Sequence, residues 1–282
     1  MSIRSWLIKV MPKSILNGLK IRRDRKQLGN ENASHCDVSN LAKWSSDQMD
    51  DIFRNGNTDE MWKQVSPDLL QFTIPNMTGG INPGDRRALY YLVSYLGVTN
   101  VLEIGTHIGA STIHIAAAVA GNAKRKDKQP SLTTVDIADV NDPSRRPWIE
   151  HGASHSPSEM IDALGYQDFV EFKTRRSLDF LEDCETDFDL IFLDGDHSAL
   201  NTFREIPLAL KKLKSNGVIL LHDYFPELKP LWSDGSLIPG PRLAVQQLVS
   251  QGQEVDAVPV GKLPWTTKLG SHWTTLALLT YA

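Results

Sequence analysis

Two short segments concentrate groups that can take protons or hold a metal: Asp194-Gly195-Asp196-His197 and His222-Asp223-Tyr224. Carboxylates favour Mg²⁺ or Mn²⁺, and an imidazole widens the choice toward softer transition metals. An imidazole near its ordinary pKa of ~6.5 can also accept a proton at neutral pH. Asp194, His222 and Asp223 are therefore expected metal ligands. His197 and Asp196 are candidate bases, with His197 preferred. Singly, Asp194 would read as a helix cap and His222 as a hydrogen-bonded interior residue; their clustering argues for function. A third segment, Glu103-Ile104-Gly105-Thr106-His107-Ile108-Gly109-Ala110-Ser111, spaces two glycines four residues apart after an apolar run. Glycines let the backbone approach a ligand closely, and the helix that follows offers unpaired amides to an anionic group. The spacing matches neither the dinucleotide G-x-G-x-x-G nor a phosphate loop with Gly-Lys-Ser/Thr. Asp136 ends another apolar run, where an acid would meet ribose hydroxyls.

These residues share a context. Apolar runs at 100–104, 132–135, 169–172, 188–193 and 218–221 lack polar alternation, as strands buried on both faces do. Helical spacing separates them at 85–96, 108–120, 158–164, 178–181 and 200–213, and recurs at 243–249. Such alternation predicts an α/β fold: a doubly wound, mostly parallel seven-stranded sheet with helices on both faces. Runs at 254–260 and 273–281 are expected to close it as an antiparallel pair. Ligands of such sheets bind at the carboxyl ends of the strands. Glu103 to Gly105, Asp136, Asp194 and His222-Asp223 all fall there.

In these motifs the chain resembles the class I S-adenosylmethionine-dependent methyltransferases, over roughly residues 76–282. The resemblance implies a Rossmann-like fold and S-adenosylmethionine as cofactor. Gly105, Thr106 and Gly109 would lie against its methionine portion, with Glu103 ordering the loop and Ser111 meeting the carboxylate. Asp136 would take the ribose, and Arg176-Ser177 would lie beside adenine. The pair D-G-D-H-S and H-D-Y is similar to the subgroup of metal-dependent sugar and small-phenol O-methyltransferases. In that subgroup Asp194 and Asp223 match ligands of a divalent cation, Mg²⁺ or Mn²⁺, and Asp194 also borders the cofactor. His222 stands where many of them carry Asp or Glu. The implied reaction is methyl transfer to a hydroxyl of a small-molecule or glycan-like acceptor. Two alternatives stay open: metal-independent transfer to nitrogen or carboxylate, and a cofactor-binding protein without turnover.

Composition bounds the partners. With 282 residues, 30 Lys plus Arg against 34 Asp plus Glu and a net charge of −4, general affinity for nucleic acid is not expected. Cys36 and Cys184 form no CxxC pair, so a reducing, cytoplasmic setting is expected, without a disulfide framework. No run approaches the ~18 apolar residues of a spanning helix. The first 26 residues differ from the rest: eight basic residues face Asp24 alone, a net +7 that leaves −11 for the remainder. Trp6, Leu7, Val10 and Met11, then Ile15, Leu16 and Leu19 after Pro12, recur at helical spacing. Such an arm, residues 1–26, could touch an anionic membrane; the plainer expectation is that its apolar side packs on the domain or on a second subunit of a homo-oligomer. Residues 1–75 read as this helical extension and a polar linker, and 76–282 as the catalytic domain. Two long loops, 139–158 and 225–241, carry Trp148, His151, His155 and Trp232, and are expected to face substrate.

Overall fold

The computed structural model of the protein describes residues 11–76 and 80–281. Its centre is a seven-stranded sheet of order β3-β2-β1-β4-β5-β7-β6, made of β1 (Asn100–Ile104), β2 (Ser131–Asp136), β3 (Val170–Thr174), β4 (Phe188–Leu193), β5 (Leu213–Leu221), β6 (Val255–Pro259) and β7 (Ala277–Tyr281). The first five pair in parallel; β7 runs antiparallel to both β5 and β6. The fold is the Rossmann-like arrangement of the methyltransferases, with the antiparallel closing pair that the sequence predicts. Strand β4 is buried along almost its whole length, as expected of an apolar run covered on both faces.

In chain order the helices are α1 (Lys13–Leu28), α2 (Asp47–Phe53), α3 (Gly56–Leu70), α4 (Pro83–Leu96), α5 (Ala110–Lys126), α6 (Pro147–Glu150), α7 (Pro157–Ala163), α8 (Ser177–Asp183), α9 (Ala199–Leu210) and α10 (Gly240–Ser250). Their local signals are ordinary. Asn82 caps α4 by accepting from the Asp85 amide at 3.1 Å, Pro83 occupies its first turn, and Gly97 closes it in the left-handed conformation. Ser156 and Glu159 form a reciprocal capping box on α7. One apolar core lies between the sheet and α2 to α5 with α7, built on Ile52, Phe53, Leu89, Tyr91, Ile113 and Phe192. The other packs α8, α9 and α10 on the opposite face around Leu181, Phe203, Ile206 and Leu248.

The region read as a polar linker is more structured than expected. It contributes Met49, Ile52 and Phe53 to the first core. The weak helical pattern at 41–44 is no helix: Leu41 bridges Gly217, and the Trp44 amide donates to Thr280 Oγ1 at 2.9 Å. The proposed helical turns before Pro12 lie outside the described residues; those after it form α1. The expectation that its apolar side packs on the domain is overturned for Ile15 and Leu19, which are 52% and 51% exposed. Among the described residues, no helix is long and apolar enough to cross a membrane.

Candidate active site

Strand register assembles the site. Ile104 pairs with Leu193 and Leu193 with Leu221, so the residues that follow, Gly105, Asp194 and His222, emerge side by side. The contact is intimate: a Cβ on Gly105 would sit 2.3 Å from the Asp194 carbonyl oxygen, and the φ of Gly105 is +100°. Only glycine allows this approach. The glycine turn and the acidic tips are therefore neighbours at the carboxyl edge of the sheet.

A cavity of about 330 Å³ opens at these tips. Gly105, Thr106, Ser111, Asp136, Arg176, Ser177 and Asp194 line it, all residues expected to border a cofactor. Its size falls within the ~300–1,000 Å³ of small-molecule pockets. Asp136 is used as scaffold as well as wall: its Oδ2 accepts from the His107 amide at 2.9 Å and its Oδ1 from the Ala138 amide. Glu103 and Gly109 do not line the cavity. Gly109 starts α5 with φ +74° and lies tight against Pro157. Glu103 is buried behind the wall, where its Oε2 accepts from Thr112 and Thr134, each at 2.6 Å; Thr134 in turn meets Thr106 at 2.6 Å. Its second oxygen has no partner, and burial pushes its pKa up to about 7. His107 Nδ1, on the cavity wall, is also buried without a partner among the described residues. Glycine-cleared space beside unpaired buried polar atoms fits a polar cofactor.

A second cavity, about 500 Å³, adjoins the first at Gly80. Phe225, Trp232, Ile238 and Leu269 supply its apolar wall, and Lys268, Ser236 and Asn82 its polar groups. His222 and Asp223 lie on this side, Asp194 and His197 on the other. The charged cluster thus stands between two chambers.

Within the cluster, Asp194, His197 and Asp223 each offer a ligand atom, all within 4.8 Å of one another. His197 Nε2 is 3.5 Å from Asp223 Oδ2 and 4.0 Å from Asp194 Oδ1. His222, expected among the ligands, is engaged differently. Its Nδ1 lies 2.8 Å from Asp194 Oδ1, and its Nε2 lies 3.3 Å from Oδ2 of Asp85, a fully buried residue at the start of α4. Burial alone would lower the His222 pKa, but Asp194, Asp223 and Asp85 outweigh it and raise the group well above the ordinary imidazole value. Asp196 is exposed and accepts from the Ser198 amide at 2.9 Å, ahead of α9; the geometry brings His197, not Asp196, to the two carboxylates. Asp85, Asp194 and Asp223 crowd around one imidazole, and the group of Asp194, His197 and Asp223 fits a divalent cation.

Sequence reasoning missed Asp85, His107, Asn201 and Glu205. Asn201 lines the first cavity and donates to Glu205 Oε1 at 2.6 Å from the next turn of α9. Burial pushes buried Glu205 up to about 7 as well. Asp85 carried a signal only as a first-turn acid of α4.

Comparison with known proteins follows this geometry. Residues 102–224 match a family described as a methyltransferase domain. No curated protein matches the chain. Among solved structures, an O-methyltransferase from Bacillus cereus in complex with S-adenosylhomocysteine is 20% identical, over 84% of this chain and 96% of that one, with TM-score 0.51. The O-methyltransferase TomG from Streptomyces achromogenes, involved in tomaymycin synthesis and bound to S-adenosylmethionine, is 17% identical over 97% of this chain and 100% of its own, with TM-score 0.51. Cofactor-bound Rv0187 from MTB is 19% identical over 83% and 94%, with TM-score 0.52. These likenesses establish the fold, and the match at 102–224 covers the glycine turn, Asp136 and both acidic tips. Over residues 102–224 the chain is similar to the methyltransferase-domain family, and it shares the fold of O-methyltransferases solved with S-adenosylmethionine or S-adenosylhomocysteine.

Proposed function

We propose that the protein methylates a hydroxyl of a small-molecule or glycan-like acceptor, assisted by a divalent cation held by Asp194 and Asp223. The observation that carries this reading is the placement of the carboxylate–imidazole cluster between two adjoining chambers. One chamber has the glycine turn and Asp136 for the cofactor, and the other has an apolar wall for an acceptor. Methyl transfer from a sulfonium is an in-line displacement, so alignment of acceptor oxygen and methyl carbon is the protein's main task. When bound, S-adenosylmethionine supplies the methyl group, and a cation lowers the pKa of the acceptor hydroxyl.

The chain's own residues do the rest. Gly105, Thr106, Ser111 and Asp136 seat the cofactor, with Arg176 and Ser177 beside its adenine. Phe225, Trp232 and Ile238 exclude water from the acceptor. His222 is held too tightly between carboxylates to exchange a proton, so it partly neutralises Asp194. His197 Nε2, at 3.5 Å from Asp223, takes the acceptor proton. Two carboxylates suffice for Mg²⁺ or Mn²⁺, which commonly keeps several waters and takes the remaining oxygens from substrate.

The test separates ligand from base. Mn²⁺ and S-adenosylhomocysteine are titrated by calorimetry into wild type, Asp223→Asn and His197→Gln, and methyl transfer is followed on a panel of catechols and sugars. Asp223→Asn should lose at least about tenfold in Mn²⁺ affinity. His197→Gln should keep both affinities and lose about 10²–10⁴-fold in turnover. Loss of Mn²⁺ binding in His197→Gln would make that residue a ligand instead. Turnover indifferent to a chelator would remove the cation from the reaction.

A further inference from the structure

We propose that the outward face of α1 docks on a membrane surface rich in anionic lipid. A surface helix ordinarily buries its apolar side and exposes its polar side; α1 does so only in part. Asn17 (7% exposed), Asp24 (1%) and Leu28 (2%) face the body together with half-buried Ile21, whereas Ile15 and Leu19, one turn apart, point to solvent. At 100° per residue Arg22 and Lys26 continue the outward stripe, and Leu16, Arg23 and Arg25 flank it. The one acid of the helix, Asp24, is turned inward and is paired with Arg23 at 2.7 Å. The outer face therefore carries an apolar pair and, in Arg22, Arg25 and Lys26, cations with no carboxylate partner among the described residues.

This facing is held by specific bonds. Asn17 Nδ2 donates to the Gly235 carbonyl at 3.0 Å, and Lys20 Nζ to the Leu237 carbonyl at 3.0 Å. Ile21 packs against the cluster of Phe225, Trp232 and Leu237. These contacts tie α1 to the 225–239 loop, which walls the second chamber, so docking would place that chamber beside the lipid surface. The charge distribution selects the partner. The first 26 residues hold +7 on a chain of net −4, and apolar insertion combined with electrostatic attraction is the two-part signal of a reversible interfacial helix.

The inference does not depend on methyl transfer. The full-length protein is co-sedimented with phosphatidylcholine vesicles with and without ~30% phosphatidylglycerol, at low and high salt. Binding to the anionic vesicles alone, weakened by salt, is expected. Ile15→Glu/Leu19→Glu and, separately, Arg22→Glu/Lys26→Glu should each weaken it at least about tenfold, without change in melting temperature or S-adenosylhomocysteine affinity. Equal binding to both vesicle types, no binding, or variants that bind like wild type would overturn the proposal. So would light scattering that shows a dimer which Ile15→Glu/Leu19→Glu converts to monomer, since the face would then be covered by a second copy. Normal S-adenosylhomocysteine affinity in a protein that ignores vesicles would remove this inference and leave the enzyme reading intact.

Discussion

His222 is fixed from both sides: Asp194 follows β4, and Asp85 comes from a helix 137 residues earlier in the chain. Asp85 is fully buried; among the described residues its Oδ2 takes, besides His222, only the Asn82 side-chain amide at 2.7 Å, and its Oδ1 has no partner. A carboxylate so placed is costly unless an adjacent positive charge offsets its desolvation. Asp85→Asn keeps the shape and removes the charge, leaving the imidazolium with one fewer carboxylate. Breaking a buried pair in this way costs about 3 kcal/mol. Urea unfolding without cofactor should register a loss of that order; a change below about 0.5 kcal/mol would mean that the pair contributes nothing. Clustering at successive strand ends made Asp194, Asp223 and Gly105 legible, because singly each could be a helix cap or a turn residue. Asp85 was not legible. It looks like any first-turn acid until the fold brings it to His222.

At the scale of elements, β1 and β4 could be read to the residue because an apolar run buried on both faces has no competing interpretation. Helix α3 could not. Its sequence contains Gly56, Pro67 and many polar groups, and its few apolar residues, Met61, Trp62, Val65 and Leu69, gain meaning only against α4 and α5. The signal that was available is Asn55, whose side chain accepts from the Thr58 amide at 3.0 Å. The facing of α1 was hidden for a different reason: periodicity reveals a stripe but not which side the rest of the molecule will cover. Two glycines separate packing from propensity. A Cβ on Gly240 would lie 1.9 Å from the His197 carbonyl oxygen, so α10 can approach the β4–α9 turn only without a side chain. Gly240→Ala should therefore lower stability by at least about 2 kcal/mol and reduce turnover as His197 is displaced. Gly18, in α1, has nothing within 4 Å of its Cβ position, and Gly18→Ala should raise stability by about 0.5–1 kcal/mol. Paired thermal and chemical melts decide both; equal effects of the two substitutions would contradict the argument.

For the whole molecule, the buried titratable groups set an unusual dependence of stability on pH. Glu103 and Glu205 are both raised from 4.5 to about 7, chiefly by burial. Each holds its proton in the folded state where the unfolded chain has released it. Their contribution is fully present below pH 4.5 and is lost as pH rises toward about 7, at about 1.4 kcal/mol per unit for each group. His114, buried in α5 with its ring stacked on Trp62, is lowered to about 3 by burial and by Arg86. Its contribution has the opposite sign: present above pH 6.5, and lost as pH falls toward about 3. Between pH 4.5 and 6.5 two carboxyls oppose one imidazole, so stability falls as pH rises; below 4.5 only the imidazole acts among these three, and stability falls with acid. The melting temperature without cofactor should therefore peak near pH 4.5–5 and decline by pH 8. In Glu103→Gln/Glu205→Gln the carboxyl slopes vanish, and the peak should move up to near pH 6.5, between the acid-side loss from His114 and the alkaline-side loss from His222. A wild-type profile that instead climbs steadily from pH 5 to 8, or a double variant with an unmoved peak, would show that these carboxyls are ionised within the fold at no cost.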